Sequence, residues 1–218
     1  MKIPSMSLES EGRRSREPEG LRSRQRWRFL DDPVAIRALA HPLRFELIGI
    51  IGGLGRATTA QAARELGVSH GLASHHLRQL AKYGFVERVA GKDNRERPWR
   101  LVATSYNWAG ASRTAEGTAA VDVLEQVYAE QALERFVGWQ QRRGSWPDAW
   151  RESTGIGTST VYLTEAELTE LSAAMDALLL RYVGERPLDD VAARPPGSVA
   201  VDFTIFAVPA GQHPPGQD

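Results

Sequence analysis

One stretch limits what this chain can fold into more than any other. It is ATTAQAARELGVSHGLASHHLRQLAKYG, Ala57 to Gly84. Thr58 followed by Gln61 three residues later is the pattern of a capping box, in which each side chain satisfies the other residue's backbone N–H at a helix start. Gly67 stands where that helix must stop, and glycine takes the left-handed conformation such a stop needs. Ser69 is placed to cap a second helix, and Gly84 closes it. The stretch therefore reads as helix, tight turn, helix.

The flanking sequence extends the pattern. Upstream, Asp32 and Pro33 suit the cap and first position of a helix, and Pro42 starts another. Leu43, Leu47, Ile50 and Ile51 give that helix an apolar stripe, ended by Gly52, Gly53 and Gly55. Downstream, Phe85, Val86 and Val89 precede a charged tip, Gly91 to Arg97, after which Trp99, Leu101 and Ala103 alternate. Two strands with a basic tip are predicted. Helices, turn, helix and basic hairpin in that order make a winged helix-turn-helix.

Helical geometry assigns the second helix of the motif its faces. At about 100° per residue, Leu72, Ala73, His76, Leu77 and Leu80 fall on one side and are expected to be buried. Gly71, Ser74, His75, Arg78 and Lys82 fall on the other, with His70 at the margin. Small residues, cations and an imidazole on one outer face suit a DNA major groove. Arg78 can bind guanine bidentately, and Ser69, Ser74 and His75 can reach base edges or phosphates. Lys82 is placed for phosphate, a contact that positions but does not specify. Lys92, Arg95 and Arg97 on the wing tip are expected at phosphates or a minor groove. A charged helix face can also be merely solvated, so the inference rests on the whole motif. The histidines do not chelate. A metal pair on one helix sits at i and i+4, whereas His70, His75 and His76 point three different ways.

Charge supports the same division. The chain has 27 Lys/Arg and 27 Asp/Glu, so its net charge is zero, but the signs are segregated. Leu21 to Trp108 holds 15 basic and 7 acidic residues, a net of +8, and Ala109 to Asp218 holds 8 and 16, a net of −8. A basic part of this kind points to a polyanionic partner. The absence of cysteine excludes disulfides, thiolate metal sites and cysteine nucleophiles. No apolar run reaches the roughly 20 residues that span a bilayer, and the N-terminus lacks a signal's apolar stretch. A cytoplasmic, nucleoid-associated protein without membrane contact is expected.

The expected fold class is mostly α with a small β component. Residues 1–27 are read as a disordered basic arm, whose Arg13 to Arg28 add phosphate contacts. Residues 28–105 form the winged helix-turn-helix, and 106–210 a helical or α+β region for dimerisation and effector sensing. Residues 211–218 are read as a disordered tail. In the third part, Thr114 to Gln141 reads as a long helix with apolar residues on more than one face. TSTVYLT is a predicted strand, Thr164 with Glu167 opens a helix to about Tyr182, and VAVDFTIFAV is a second predicted strand. Trp108, Trp139, Trp146 and Trp150 either line a pocket or pack in a core.

Three stretches resemble the ArsR-type winged helix-turn-helix regulators. ALAHPLRFELI, Ala38 to Ile48, is similar to the family's opening at Leu39, Pro42, Arg44 and Ile48. The reading helix carries its Ser…Ser-x-His-Leu-x-x-Leu…Gly pattern at Ser69, Ser74, His76, Leu77, Leu80 and Gly84. GKDNRERPWRL resembles its wing. The resemblance covers roughly residues 33–103 and implies a homodimeric repressor on inverted-repeat double-stranded DNA, released by an effector. Two departures matter. TTAQAAREL lacks the cysteine pair through which many relatives bind metal, and Ala115 to Gln141 has no histidine. No metal and no cofactor are therefore expected, and a small molecule is the effector class that remains.

Two other functions fit parts of this sequence. A winged helix can pack on protein instead of DNA, and a C-terminal half can be catalytic. That half holds a single histidine, in the tail, with no nucleophile motif and no phosphate-binding glycine loop, so a non-enzyme is expected.

Overall fold

The computed structural model describes residues 27–91, 97–103, 105–108, 110–188 and 190–211. The N-terminal arm up to residue 26, the tail from 212, and the wing-tip residues Lys92 and Arg95 lie outside them.

Four helices build the first layer. α1 (Pro33–Leu39) is capped by Asp32, whose side chain accepts from the Val34 N–H at 2.9 Å. α2 (Pro42–Leu54) follows after a two-residue break. α3 (Thr59–Leu66) opens with both bonds of the capping box, Gln61 N–H to Thr58 Oγ1 at 3.2 Å and Thr58 N–H to Gln61 Oε1 at 2.8 Å. α4 (His70–Lys82) starts on Ser69, which accepts from the Leu72 N–H. Between them Gly67 has φ +65° and ψ 26°, a left-handed stop that lets the chain turn within three residues.

The hairpin forms as predicted. Within it, β2 (Val86–Arg88) pairs antiparallel with β3 (Trp99–Leu101) in the register Val86 to Leu101. Trp99 ties it to the helices. Its backbone exchanges hydrogen bonds with Ala57 at 2.8 and 3.0 Å, and its indole N–H donates to Thr59 Oγ1 at 3.0 Å. Before α1 lies a strand absent from the sequence reading. This strand, β1 (Trp27–Phe29), pairs parallel with β4 (Ser105–Asn107), so Trp27, assigned to the arm, belongs to a strand. A three-residue strand carries too little periodicity to be recognised.

One core joins these elements. Ile36 and Leu39 of α1, Leu47 and Ile51 of α2, Leu77 and Leu80 of α4, and Phe85 at the wing are all fully buried. The long helix α5 (Ala115–Arg142) adds Ala120, Val121 and Leu124 to it, packed mainly on α1. Burying each large aliphatic side chain contributes about 1.5–3 kcal/mol.

Past α5 come a short helix, α6 (Asp148–Glu152), and α7 (Glu165–Glu185) with the expected capping box of Thr164 and Glu167. Neither predicted strand forms a ladder. Residues 158–163 and 199–208 are without assigned secondary structure and exposed. Alternation gives a strand its shape, but a ladder requires a neighbour, and none is supplied among the described residues. Trp139, Trp146 and Trp150 stack edge to face at 5.2 and 5.8 Å, while Trp108 packs on Tyr128. The four indoles therefore do not share one pocket.

Two glycines of the motif, four residues apart, should respond in opposite ways. Gly67→Ala places a Cβ in the left-handed region and should cost about 1–2 kcal/mol. Gly71 is helical and a Cβ there meets nothing within 4 Å, so Gly71→Ala should be neutral or stabilise by up to about 1 kcal/mol. Urea midpoints of the two variants check this. A Gly67→Ala protein as stable as the parent would refute the turn.

Candidate nucleic-acid interface

The rotation of α4 is fixed by what it buries. Ala73, His76, Leu77 and Leu80 are inside. Ser69, His70, Gly71, His75, Arg78 and Lys82 are exposed, and Ser74 is half-buried. Six of the seven positions expected at DNA are thus exposed, and Ser74 is partly covered. Leu72 is the exception to the predicted stripe. It is 43% exposed, because it sits at the edge of the stripe in the first turn, where the helix stands clear of its neighbours. Arg97 is exposed on the wing.

Among the described residues, no ion pair occupies Arg78. Lys82 lies 5.2 Å from the Tyr83 ring centroid. Two other described cations of the wing are committed to structure. Arg88 stacks on Trp99 at 3.8 Å and donates to the Arg97 carbonyl, and Arg100 pairs with Glu87 at 2.6 Å. The division leaves Arg97 outward at the base of the tip.

Behind α4 lies a cluster that the sequence reading did not single out. His41 caps α2, its Nδ1 accepting from the Leu43 N–H at 3.2 Å. Its ring lies against that of His76, tilted, at 4.5 Å, and His75 meets His76 edge-on at 5.2 Å. Arg44 donates to the Ala38 carbonyl, tying the start of α2 to α1. The signal available was His41 before Pro42, a helix-start position where a side-chain acceptor is useful. His76 Nδ1 is buried and has no hydrogen-bond partner among the described residues. Burial first, then the nearby His41, Arg44 and His75, pushes the His76 imidazole down to about 4. His41 is lowered for similar reasons, burial first and Arg44 second.

A charged cleft of about 260 Å³ lies beside the exit of α4. It is lined by Arg28, Asp31, Asp32, Lys82 and Tyr83 among others. Arg28 stacks over Phe85 at 4.9 Å, so β1 braces the end of the reading helix. Among the described residues, no three His, Asp or Glu side chains converge as a metal site. No described helix is long and apolar enough to cross a membrane.

Comparison with known proteins bears on this geometry. A family model described as a helix-turn-helix domain matches residues 39–89, which run from the end of α1 to the close of β2. The chain carries a winged helix-turn-helix domain. Solved structures with partial likeness include a variant of ZitR from Lactococcus lactis in apo form, at 17% identity and TM-score 0.27, covering 64% of this chain and 83% of that one. A variant of MarR from E. coli complexed with operator DNA is 18% identical with TM-score 0.28, over 67% and 84% of the two chains. The transcriptional regulator Tm0710 from Thermotoga maritima is 14% identical with TM-score 0.29, over 68% and 88%. Superposition at these scores equates no residue of one chain with a residue of another. No curated protein matches.

The histidine cluster makes stability depend on pH. The folded state keeps His76 neutral down to about pH 4, whereas the unfolded chain takes up the proton near 6.5. Between those values the unfolded state binds more protons, so stability is complete above pH 6.5 and falls as the pH drops to about 4. The loss should be about 3 kcal/mol. Denaturant unfolding of the parent and of His76→Leu at pH 7 and 4.5 measures it. The parent should lose more than the variant, and equal losses would refute the assignment.

Proposed function

We propose that this chain is a sequence-specific, DNA-binding transcriptional regulator of the ArsR type, a homodimeric repressor that binds an inverted-repeat operator. One observation carries the reading. The outward face of α4 presents Ser69, Gly71, Ser74, His75 and Arg78 together, with no ion pair among the described residues, beside a braced basic wing. Gly71 at the start lets the helix approach the groove floor. Arg78 reads guanine or grips phosphate, His75 and Ser74 reach neighbouring edges, and Lys82 holds backbone near the exit. Arg97, with Lys92 and Arg95 on the tip, contacts the flanking groove.

Two reading helices need to stand about one DNA turn apart, roughly 34 Å. α5 is the helix that supplies such a dimer. Its inner face is in the core, while Val123, Leu133 and Val137 on its outer side are 49%, 63% and 42% exposed. The regulator's effector is a small molecule and not a thiolate-held metal, since the chain has no cysteine.

Selection from a random-sequence DNA library, followed by titration at several salt concentrations, tests the proposal. The parent should enrich an inverted repeat and lose affinity steeply as salt rises. Arg78→Ala should cost about 1–3 kcal/mol of discrimination at one base pair per half-site. Lys82→Ala should weaken all sequences alike and reduce the salt slope by about one. His75→Ala should weaken binding less than Arg78→Ala and leave thermal stability unchanged. A protein with no affinity for DNA at low salt would overturn the function and favour a protein-binding winged helix.

A further inference from the structure

His75 is exposed on the outward face of α4, but its ring has a neighbour. The imidazole meets that of His76 with centroids 5.2 Å apart and planes at 90°. Ring pairs favour this edge-to-face arrangement, because the positive edge of one meets the negative face of the other. Among the described residues no hydrogen bond or ion pair holds the His75 side chain. On a helix such a side chain chooses between two χ1 wells, near 180° and −60°.

His76 is itself held from behind. It is only 7% exposed, and the ring of His41 lies 4.5 Å away, tilted by 50°. His41 stands just before α2, with φ −153° and ψ 125°, the extended backbone that a following proline favours. Its Nδ1 accepts from the Leu43 N–H at 3.2 Å, which fixes the plane of the ring. An imidazole that accepts at Nδ1 carries its proton at Nε2 and is neutral. Burial, with His41, Arg44 and His75 nearby, keeps His76 neutral as well. Neutral rings pack at this distance, whereas two imidazolium ions repel.

Stability alone does not explain either inner histidine. At position 76 a leucine fills an apolar site without burying a nitrogen that lacks a partner. At position 41 asparagine, aspartate or serine is the better helix cap. What the two residues have in common is the ring. The rings run in a row from the pinned start of α2, through the core, to the face that carries Ser74, His75 and Arg78.

We propose that His41 is a positioning residue for sequence recognition: through His76 it holds the His75 ring in the one rotamer that reads DNA. The inference rests on the DNA-binding reading above and names a determinant of specificity that lies behind the reading helix. A side chain free between two wells presents the right one half of the time. That is a factor of about two per half-site, and about four for an operator of two half-sites.

Two substitutions separate the ring of His41 from its cap. His41→Asn keeps an acceptor for the Leu43 N–H and removes the ring. His41→Phe keeps a ring against His76 and removes the acceptor. Full-length proteins at neutral pH are compared without and with DNA. Without DNA, NMR side-chain couplings of His75 should report one χ1 rotamer in the parent and in His41→Phe, and an average of two in His41→Asn. The DNA probes are the inverted repeat that selection enriches and duplexes changed at each of its base pairs. His41→Asn should lose about fourfold discrimination at the pair to which His75→Ala is blind, and at no other. His41→Phe should keep that discrimination while melting earlier. In the His75→Ala background, His41→Asn should change nothing further, a non-additivity that a purely structural role does not give. An averaged His75 in the DNA-free parent, or full discrimination in His41→Asn, would overturn the inference and leave DNA binding standing. Equal losses from His41→Asn with and without His75 would overturn it too. A parent with no affinity for any duplex at low salt would overturn the functional reading, and this inference with it, even with a single His75 rotamer.

Discussion

The burial of one stripe of α4 sets everything else in the winged domain. Ala73, His76, Leu77 and Leu80 enter the core, and a helix has one rotation that allows this. Once that rotation is fixed, Ser69, Gly71, His75, Arg78 and Lys82 have to face outward. The outward polar face is thus a by-product of packing. Core and surface on α4 are therefore specified together, and a change in either moves both.

The surrounding elements serve that helix. The left-handed Gly67 aims its start, and Trp99 links the wing to α3 through Thr59. Arg28 and β1 support its far end, and His41 supports His76 from behind. The last support is the costly one. A buried imidazole with an unpartnered nitrogen is tolerated only while neutral. The helix that presents the cations therefore rests on a group that resists protonation.

Legibility in the sequence followed the range of the interactions. Capping boxes at Thr58 and Thr164, the Gly67 stop and the α4 faces depend on residues within one turn, and each was readable from spacing. The fold of the hairpin was readable because alternation and a charged tip lie on one continuous stretch. β1 was not, since its partner β4 is distant in sequence and three residues show no period. The His41–His76 contact joins residues 35 positions apart, and no local pattern announces it. The exposure of Leu72 is likewise a matter of where the neighbouring helices end.

The sequence by itself determined where the longer helices lie, where they start and stop, and which face of α4 is polar. Those are properties of neighbours along the chain, set by backbone sterics and side-chain period. Only the tertiary structure decided which wing cations are held and which is outward, through Arg88 on Trp99 and Arg100 on Glu87. It also decided that α5 joins the core by one face, and that the two apolar segments flanking α7 remain unpaired in a single chain. Alternation specifies which side of a strand is apolar, but a strand is completed by hydrogen bonds to another. That neighbour is a matter of three-dimensional arrangement, which no pattern within the segment encodes.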